Sequence, residues 1–147
     1  MQVKEQALQI ARSLQDLGLK KGNVIGLILP NCLEYPVLVQ GCLYLGITVT
    51  PINPGYTPHE ISRQLEASAA SVIFGHSSLD DKLKQTLELS PSVTKTVIVG
   101  DKVKDFLHWT DFLTSSSQSP IPDPAEVDVM KDVAVLPFSS GTTGNAR

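Results

Sequence analysis

Val24-Ile-Gly-Leu-Ile-Leu29 carries apolar residues on both alternating sets of positions, so neither face of the segment is suited to water. A strand of this kind belongs inside a parallel sheet with helices covering both sides. Upstream, Val3, Ala7, Ile10, Leu14 and Leu17 recur at helical spacing, with Lys4, Glu5, Arg12 and Asp16 between them, and Gly18 stands where a C-terminal cap belongs. Downstream, Pro30-Asn31 ends the strand and residues 34–45 return to a helical pattern that stops at Gly46. Ile47-Thr-Val-Thr-Pro51 is short and β-branched, a second strand.

The alternation continues. Asn53-Pro-Gly-Tyr56 is a turn, and Thr57-Pro-His-Glu60 opens a helix, with Thr57 as N-cap, Pro58 at the first position and Glu60 closing a capping box. Ile61, Leu65 and either Ser68 or Ala69 supply its inward face. Residues 71–74 form a third strand, 81–89 a short helix and 96–99 a fourth strand, after which Gly100-Asp101 turns the chain. One helical turn is expected within 108–113, a loop over 114–126, and a fifth strand over 133–138. The fold class is therefore α/β, a mostly parallel sheet flanked by helices. No internal repeat at a fixed period occurs.

Composition narrows the function classes. The 147 residues are 41% hydrophobic and 18% charged, which fits a globular core. Twelve basic against fifteen acidic groups give a formal charge of −3, and no Lys/Arg run exceeds Lys20-Lys21, so a nucleic-acid partner is not expected. Cys32 and Cys42 stand ten apart in apolar sequence and read as buried reduced thiols. With the three histidines they make no metal spacing. The longest apolar stretch, residues 37–52, is broken by Gln40, two glycines and Pro51; no membrane span and no signal peptide are expected.

The chemistry is concentrated at the end of the chain. Ala134-Val-Leu-Pro-Phe138 runs directly into Ser139-Ser-Gly-Thr-Thr-Gly144, then Asn145-Ala-Arg147. Glycines let the backbone turn its N–H groups toward one point, and the four hydroxyls add neutral donors for phosphate oxygens. The same composition also suits a plain Ser/Gly turn after a strand. There is no Gly-Lys-Ser/Thr and no GxGxxG, so this is neither a Walker A loop nor a dinucleotide fingerprint. His59, in the first turn of a helix, His76, in a loop after a strand, and His108 read as surface or structural residues, since no GxSxG accompanies them. Asp80-Asp81, Glu126 and Asp128 read as solvated carboxylates, and Trp109 with Phe112 as satellite packing.

Residues 139–144, entered from Val-Leu-Pro-Phe, resemble the phosphate-loop signature of the adenylate-forming enzymes: acyl- and aryl-CoA synthetases, luciferase-like enzymes and the adenylation domains of nonribosomal peptide synthetases. Leu43-Tyr-Leu-Gly46 through Val49-Thr-Pro-Ile-Asn53, and Tyr56-Thr-Pro-His-Glu60, are similar to the family's upstream segments. Gly18-Leu-Lys-Lys-Gly-Asn23 resembles its usual opening, and the wording fits best the 4-coumarate–CoA ligase and luciferase-like branch.

The resemblance implies a ligase that joins a carboxylic acid to ATP, with Mg²⁺ present, to give an acyl-adenylate and pyrophosphate, and then passes the acyl group to coenzyme A. It implies that Ser139, Ser140, Gly141, Thr142, Thr143 and Gly144 hold ATP phosphates, with Arg147 at the place of the family's lysine. Gly144-Asn-Ala-Arg147 departs from the family's Gly-x-Pro-Lys-Gly: Ala146 lacks proline's rigidity, and a guanidinium is not a point-like ammonium. The resemblance further implies that residues 1–147 are a partial N-terminal domain ending at the phosphate loop, with the acid pocket, ribose contacts and C-terminal lid absent. Two expectations follow. One is an acid–CoA ligase fragment inactive alone; the other is a non-catalytic scaffold that binds a phosphate ligand or a protein partner. The location is expected to be intracellular, with cytoplasm and peroxisome both open.

Overall fold

The computed structural model describes residues 3–116, 118–128 and 130–138. The element order is α1 (Val3–Asp16), β1 (Val24–Ile28), α2 (Glu34–Leu45), β2 (Thr48–Pro51), α3 (Pro58–Ser68), β3 (Val72–His76), a 3₁₀ turn (Ser77–Leu79), α4 (Asp80–Glu88), β4 (Lys95–Val99), β5 (Leu107–His108) and α5 (Trp109–Thr114). The strands form one sheet in the order β2-β1-β3-β4-β5, every pair parallel, with Ile25 opposite Val49, Leu27 opposite Phe74 and Phe74 opposite Val97.

This order follows from handedness. The chain steps one way from β1 to β2 through α2, then reverses past β1 to β3 through α3 and on to β4 through α4. Right-handed crossovers in opposite directions put their helices on opposite faces. The buried residues divide accordingly. Ile25, Leu27, Val49, Val72, Phe74, Val97 and Val99 pack with α1, α2 and Phe112 of α5, while Ile28, Ile73 and Ile98 pack with Ile61 and Leu65 of α3 and Leu83 of α4. The doubly apolar reading of residues 24–29 is thereby explained.

Helix ends match their sequence signals. Thr57 Oγ1 accepts the Glu60 amide at 3.2 Å with Pro58 in the first turn, and Gly46 takes a left-handed φ of 71° at the end of α2. Ile61, Leu65 and Ser68 face inward, and Ala69, exposed at φ 58°, is the left-handed cap of α3. Gly41 is a close-approach site, because a Cβ there would stand 2.6 Å from Ile10 Cγ2 of α1.

The structure differs from the sequence reading in four places. Phe112 is 1% exposed and belongs to the main core, its ring 5.3 Å edge-on from Phe74. Trp109 packs against both rings but is itself half-buried at the edge of the core, so only Phe112 departs from the satellite reading. β5 is a two-residue strand that no periodicity signals. His76 ends β3, where its Nδ1 accepts the Ser78 amide at 3.1 Å and caps the 3₁₀ turn. Residues 133–138 are reduced to a single parallel bridge, Val49 opposite Val135, outside β2.

Candidate functional site

The last described segment reaches the carboxyl edge of the sheet because it runs parallel to β2. The Val49 amide donates to the Ala134 carbonyl at 3.0 Å, and the Leu136 amide to the Val49 carbonyl at 2.8 Å. A parallel ladder would continue with the amide of residue 51 donating to the Leu136 carbonyl. Residue 51 is proline and has no N–H. The neighbouring Thr50 supplies the donor instead, its Oγ1 lying 2.8 Å from the Leu136 oxygen. Thr48, on the same face of β2, donates its hydroxyl to the Val133 carbonyl.

Behind Thr50 stands Gln64 of α3, only 2% exposed. Its Nε2 donates to the Pro51 carbonyl at 2.8 Å and to Thr50 Oγ1 at 3.1 Å. A carbonyl cannot donate, so the polarity runs one way: Gln64 amide to Thr50 hydroxyl to Leu136 carbonyl. The chain leaves the sheet as it approaches Ser139.

The residues expected to hold phosphate, Ser139, Ser140, Gly141, Thr142, Thr143, Gly144 and Arg147, lie outside the described residues. What sequence reasoning missed is the support beneath their approach, Thr48, Thr50 and Gln64. The signal was present: two threonines at i and i+2 beside a strand-terminal proline, with a glutamine among the inward positions of α3.

Other candidates resolve into structural roles. His59 is exposed. His108 Nδ1 accepts the Thr110 amide at 3.2 Å while its Nε2 bonds the Gly100 carbonyl at 2.7 Å, so the ring is a neutral cap of α5 protonated on Nε2. Asp80 and Asp81 open α4, where a helix N-terminus favours carboxylates. Both cysteines are free thiols. Burial pushes the Cys42 thiol far above its ordinary range, and Cys32, half-buried, is raised mainly by desolvation. Neither is suited to act as a nucleophile. Among the described residues no three His, Cys, Asp or Glu side chains gather closely enough to hold a metal ion, and no helix is long and apolar enough to cross a membrane. An open cleft of about 680 Å³ lies between α1, α2 and α5, lined by Gln6, Gln9, Leu33, Glu34, Val37 and Trp109, apart from Thr50 and Leu136.

A doubly wound parallel sheet, a segment that follows β2 to its carboxyl edge with a Ser/Thr/Gly run next in sequence, and the Tyr56–Glu60 helix start point to one class. The chain belongs to the AMP-binding enzyme family, whose pattern matches residues 1–147. Among curated relatives, 4-coumarate–CoA ligase 3 of Arabidopsis thaliana is 34% identical over 136 residues, covering 92% of this chain and 24% of the relative. The chain thus spans about a quarter of the length of the curated relatives it matches. A red-emitting luciferase from Phrixothrix hirtus shares the fold with a TM-score of 0.88 at 22% identity, over 99% of this chain and 29% of that one. An anthranilate CoA ligase solved with anthranoyl-AMP also gives a TM-score of 0.88, at 25% identity, over 99% of this chain and 28% of its own.

Proposed function

We propose that this chain is the phosphate-holding part of an ATP-dependent carboxylic acid–CoA ligase. The observation that carries the reading is the family match over the whole chain combined with the delivery of residues 133–136 to the carboxyl edge, where parallel α/β folds bind ligands. In the first step, a carboxylate oxygen of the acid bonds to the α-phosphorus of ATP as the bond to the bridging oxygen breaks, and pyrophosphate leaves. In the second, the sulfur of coenzyme A bonds to the acyl carbon, AMP departs and the thiol loses its proton.

Here Ser139 to Gly144 hold β- and γ-phosphate oxygens through backbone N–H groups and hydroxyls, offsetting charge that grows on the leaving pyrophosphate. Neutral, short-armed donors suit that task, and Arg147 adds a cation close by in sequence. Bound Mg²⁺ would neutralise phosphate charge, and no cluster of three His, Cys, Asp or Glu side chains among the described residues would hold it. The acid pocket, ribose contacts and lid are assigned to the length of the relatives that this chain does not span.

The reading is tested by ATP–pyrophosphate exchange. The 147-residue chain alone is expected to give none. A chimera that continues from Gly144 with the corresponding remainder of the Arabidopsis relative is expected to exchange and to form a thioester. A chimera with native-like circular dichroism and a cooperative melt but no exchange would overturn the proposal.

A further inference from the structure

We infer that Thr50 and Gln64 are positioning residues that aim the strand leading into Ser139–Gly144; the functional half of this inference rests on the phosphate-loop reading above. Four described hydrogen bonds tie residues 133–136 to β2: two from the backbone ladder, through the Val49 amide and carbonyl, and two from the hydroxyls of Thr48 and Thr50. The Thr50 bond is the last of them along the chain, and its acceptor, Leu136, stands three residues before Ser139.

Pro51 makes that last bond depend on a side chain. Its missing amide would leave the Leu136 carbonyl unpaired, and the Thr50 hydroxyl takes the vacant place. A hydroxyl rotates freely unless something fixes it. Gln64 does so by donating to Thr50 Oγ1, which leaves the Thr50 proton to point at Leu136. Gln64 is itself fixed by its second bond, to the Pro51 carbonyl, an acceptor that a continued ladder would have offered to the amide of residue 138. Thr50 is fully buried and Gln64 nearly so, which shields the relay from competing water. The first turns of α3 are in turn set by the Thr57 cap. The relay therefore links the Tyr56–Glu60 segment, through α3, to the angle at which the chain leaves the sheet for the phosphate loop.

The test compares the 147-residue chain with T50V, T50S and Q64L. Valine matches threonine in shape and suits a strand, so T50V keeps the side chain's outline while removing the bond to Leu136 and the acceptor for Gln64. Amide hydrogen exchange is read at Leu136 and Val49, with Leu27 in central β1 as the internal control. T50V is expected to speed exchange at Leu136 roughly tenfold or more relative to Leu27, as loss of one buried hydrogen bond does, with T50S restoring it to within about twofold and Q64L intermediate. In parallel, inorganic pyrophosphate is titrated against each protein. Its affinity is expected to fall several-fold in T50V and to return in T50S.

Exchange at Leu136 that tracks Leu27 in every variant would overturn the inference, as would a loosened Leu136 with unchanged pyrophosphate affinity. A wild-type chain that binds no pyrophosphate would instead overturn the phosphate-loop reading, and the exchange data alone would then decide whether Thr50 and Gln64 hold the strand.

Discussion

The layered elements from α1 to α5 and the strap of residues 115–138 are held by different physics. In the first, strands and helices close over side chains such as Phe74, Ile25, Leu38 and Ile61, all fully buried. Among its described residues the strap has no helix or strand of its own, and Ile121, Val127, Met130, Val133 and Val135 are 44–87% exposed. It crosses the molecule on polar tethers. Ser13 donates to the Gln9 carbonyl and so accepts the Ser116 hydroxyl, 2.6 Å away. Ser119 reaches Asp16 at 2.6 Å, Tyr44 donates to the Pro122 carbonyl at 2.8 Å, and Lys21 donates to the Glu126 carbonyl at 2.6 Å. Each such bond contributes about 0.5–1.5 kcal/mol, against roughly 1.5–3 kcal/mol for each large buried apolar side chain. The strap should therefore open locally well below the free energy at which the layers unfold. The segment that sets the approach to the loop is the more weakly held of the two.

The largest test of that contrast is Phe74→Ala. Phe74 is one of three mutually packed aromatic rings and is fully buried, so its loss should cost about 3–5 kcal/mol in denaturant unfolding. Strap and layers should then melt together; a variant in which only strap amides lose protection would break the comparison. Gly41→Ala is smaller because two terms oppose. Overpacking against Ile10 costs about 1–3 kcal/mol, while alanine regains about 1 kcal/mol of helix propensity. Net destabilisation of about 1 kcal/mol is expected, and a stabilised variant would show that α1 can slide off α2.

Most of the layered region was legible in the sequence because its signals are local. Gly46, the Thr57–Glu60 start and the apolar run at residues 24–29 each report a geometry within a few neighbours. β5 was not legible, since two residues carry no period and Leu107 and His108 pair only because β4 lies beside them. Phe112 was misjudged for the same reason: its burial against Phe74 is a contact between elements distant in sequence. The expected strand at 133–138 failed on a donor count, because the proline that removes its partner amide sits 85 residues away from Leu136, at Pro51. For the site, sequence motifs single out Ser139–Gly144 as the expected phosphate loop, whereas the spacing of Thr48, Thr50 and Gln64 was only a hint and the bond from Gln64 to Thr50 took the fold to show.

Within the strap, Tyr44→Phe sharpens the comparison. It removes the donor to Pro122 and leaves the half-buried ring in place, so global unfolding should shift by no more than about 1 kcal/mol. Proteolytic nicking within residues 118–128 should nevertheless rise severalfold. Unchanged nicking would mean that the neighbouring bond, Ala125 amide to Tyr44 carbonyl at 2.9 Å, suffices to hold this stretch.

The smallest effect is expected at Asp132, where the tether is ionic. The Lys21 ammonium, 2.9 Å away, holds the carboxyl below its ordinary range, helped by the Asp128 amide. A carboxyl depressed in the folded state adds stability above its unfolded pKa, about 3.9, and loses it as pH falls through the folded value. The tether should thus be constant from pH 7 down to about 4 and weaken below that. Asp132→Asn keeps the side chain's shape but cannot carry the charge. The difference in amide exchange at Met130 and Asp132 between wild type and D132N should therefore be visible at neutral pH and low salt, and vanish in acid. High salt should shrink it too, because the pair is solvent-facing and screened. A difference that persists in acid, once the Asp132 carboxyl has taken up its proton, would assign the effect to packing and would place this end of the strap with the layered region.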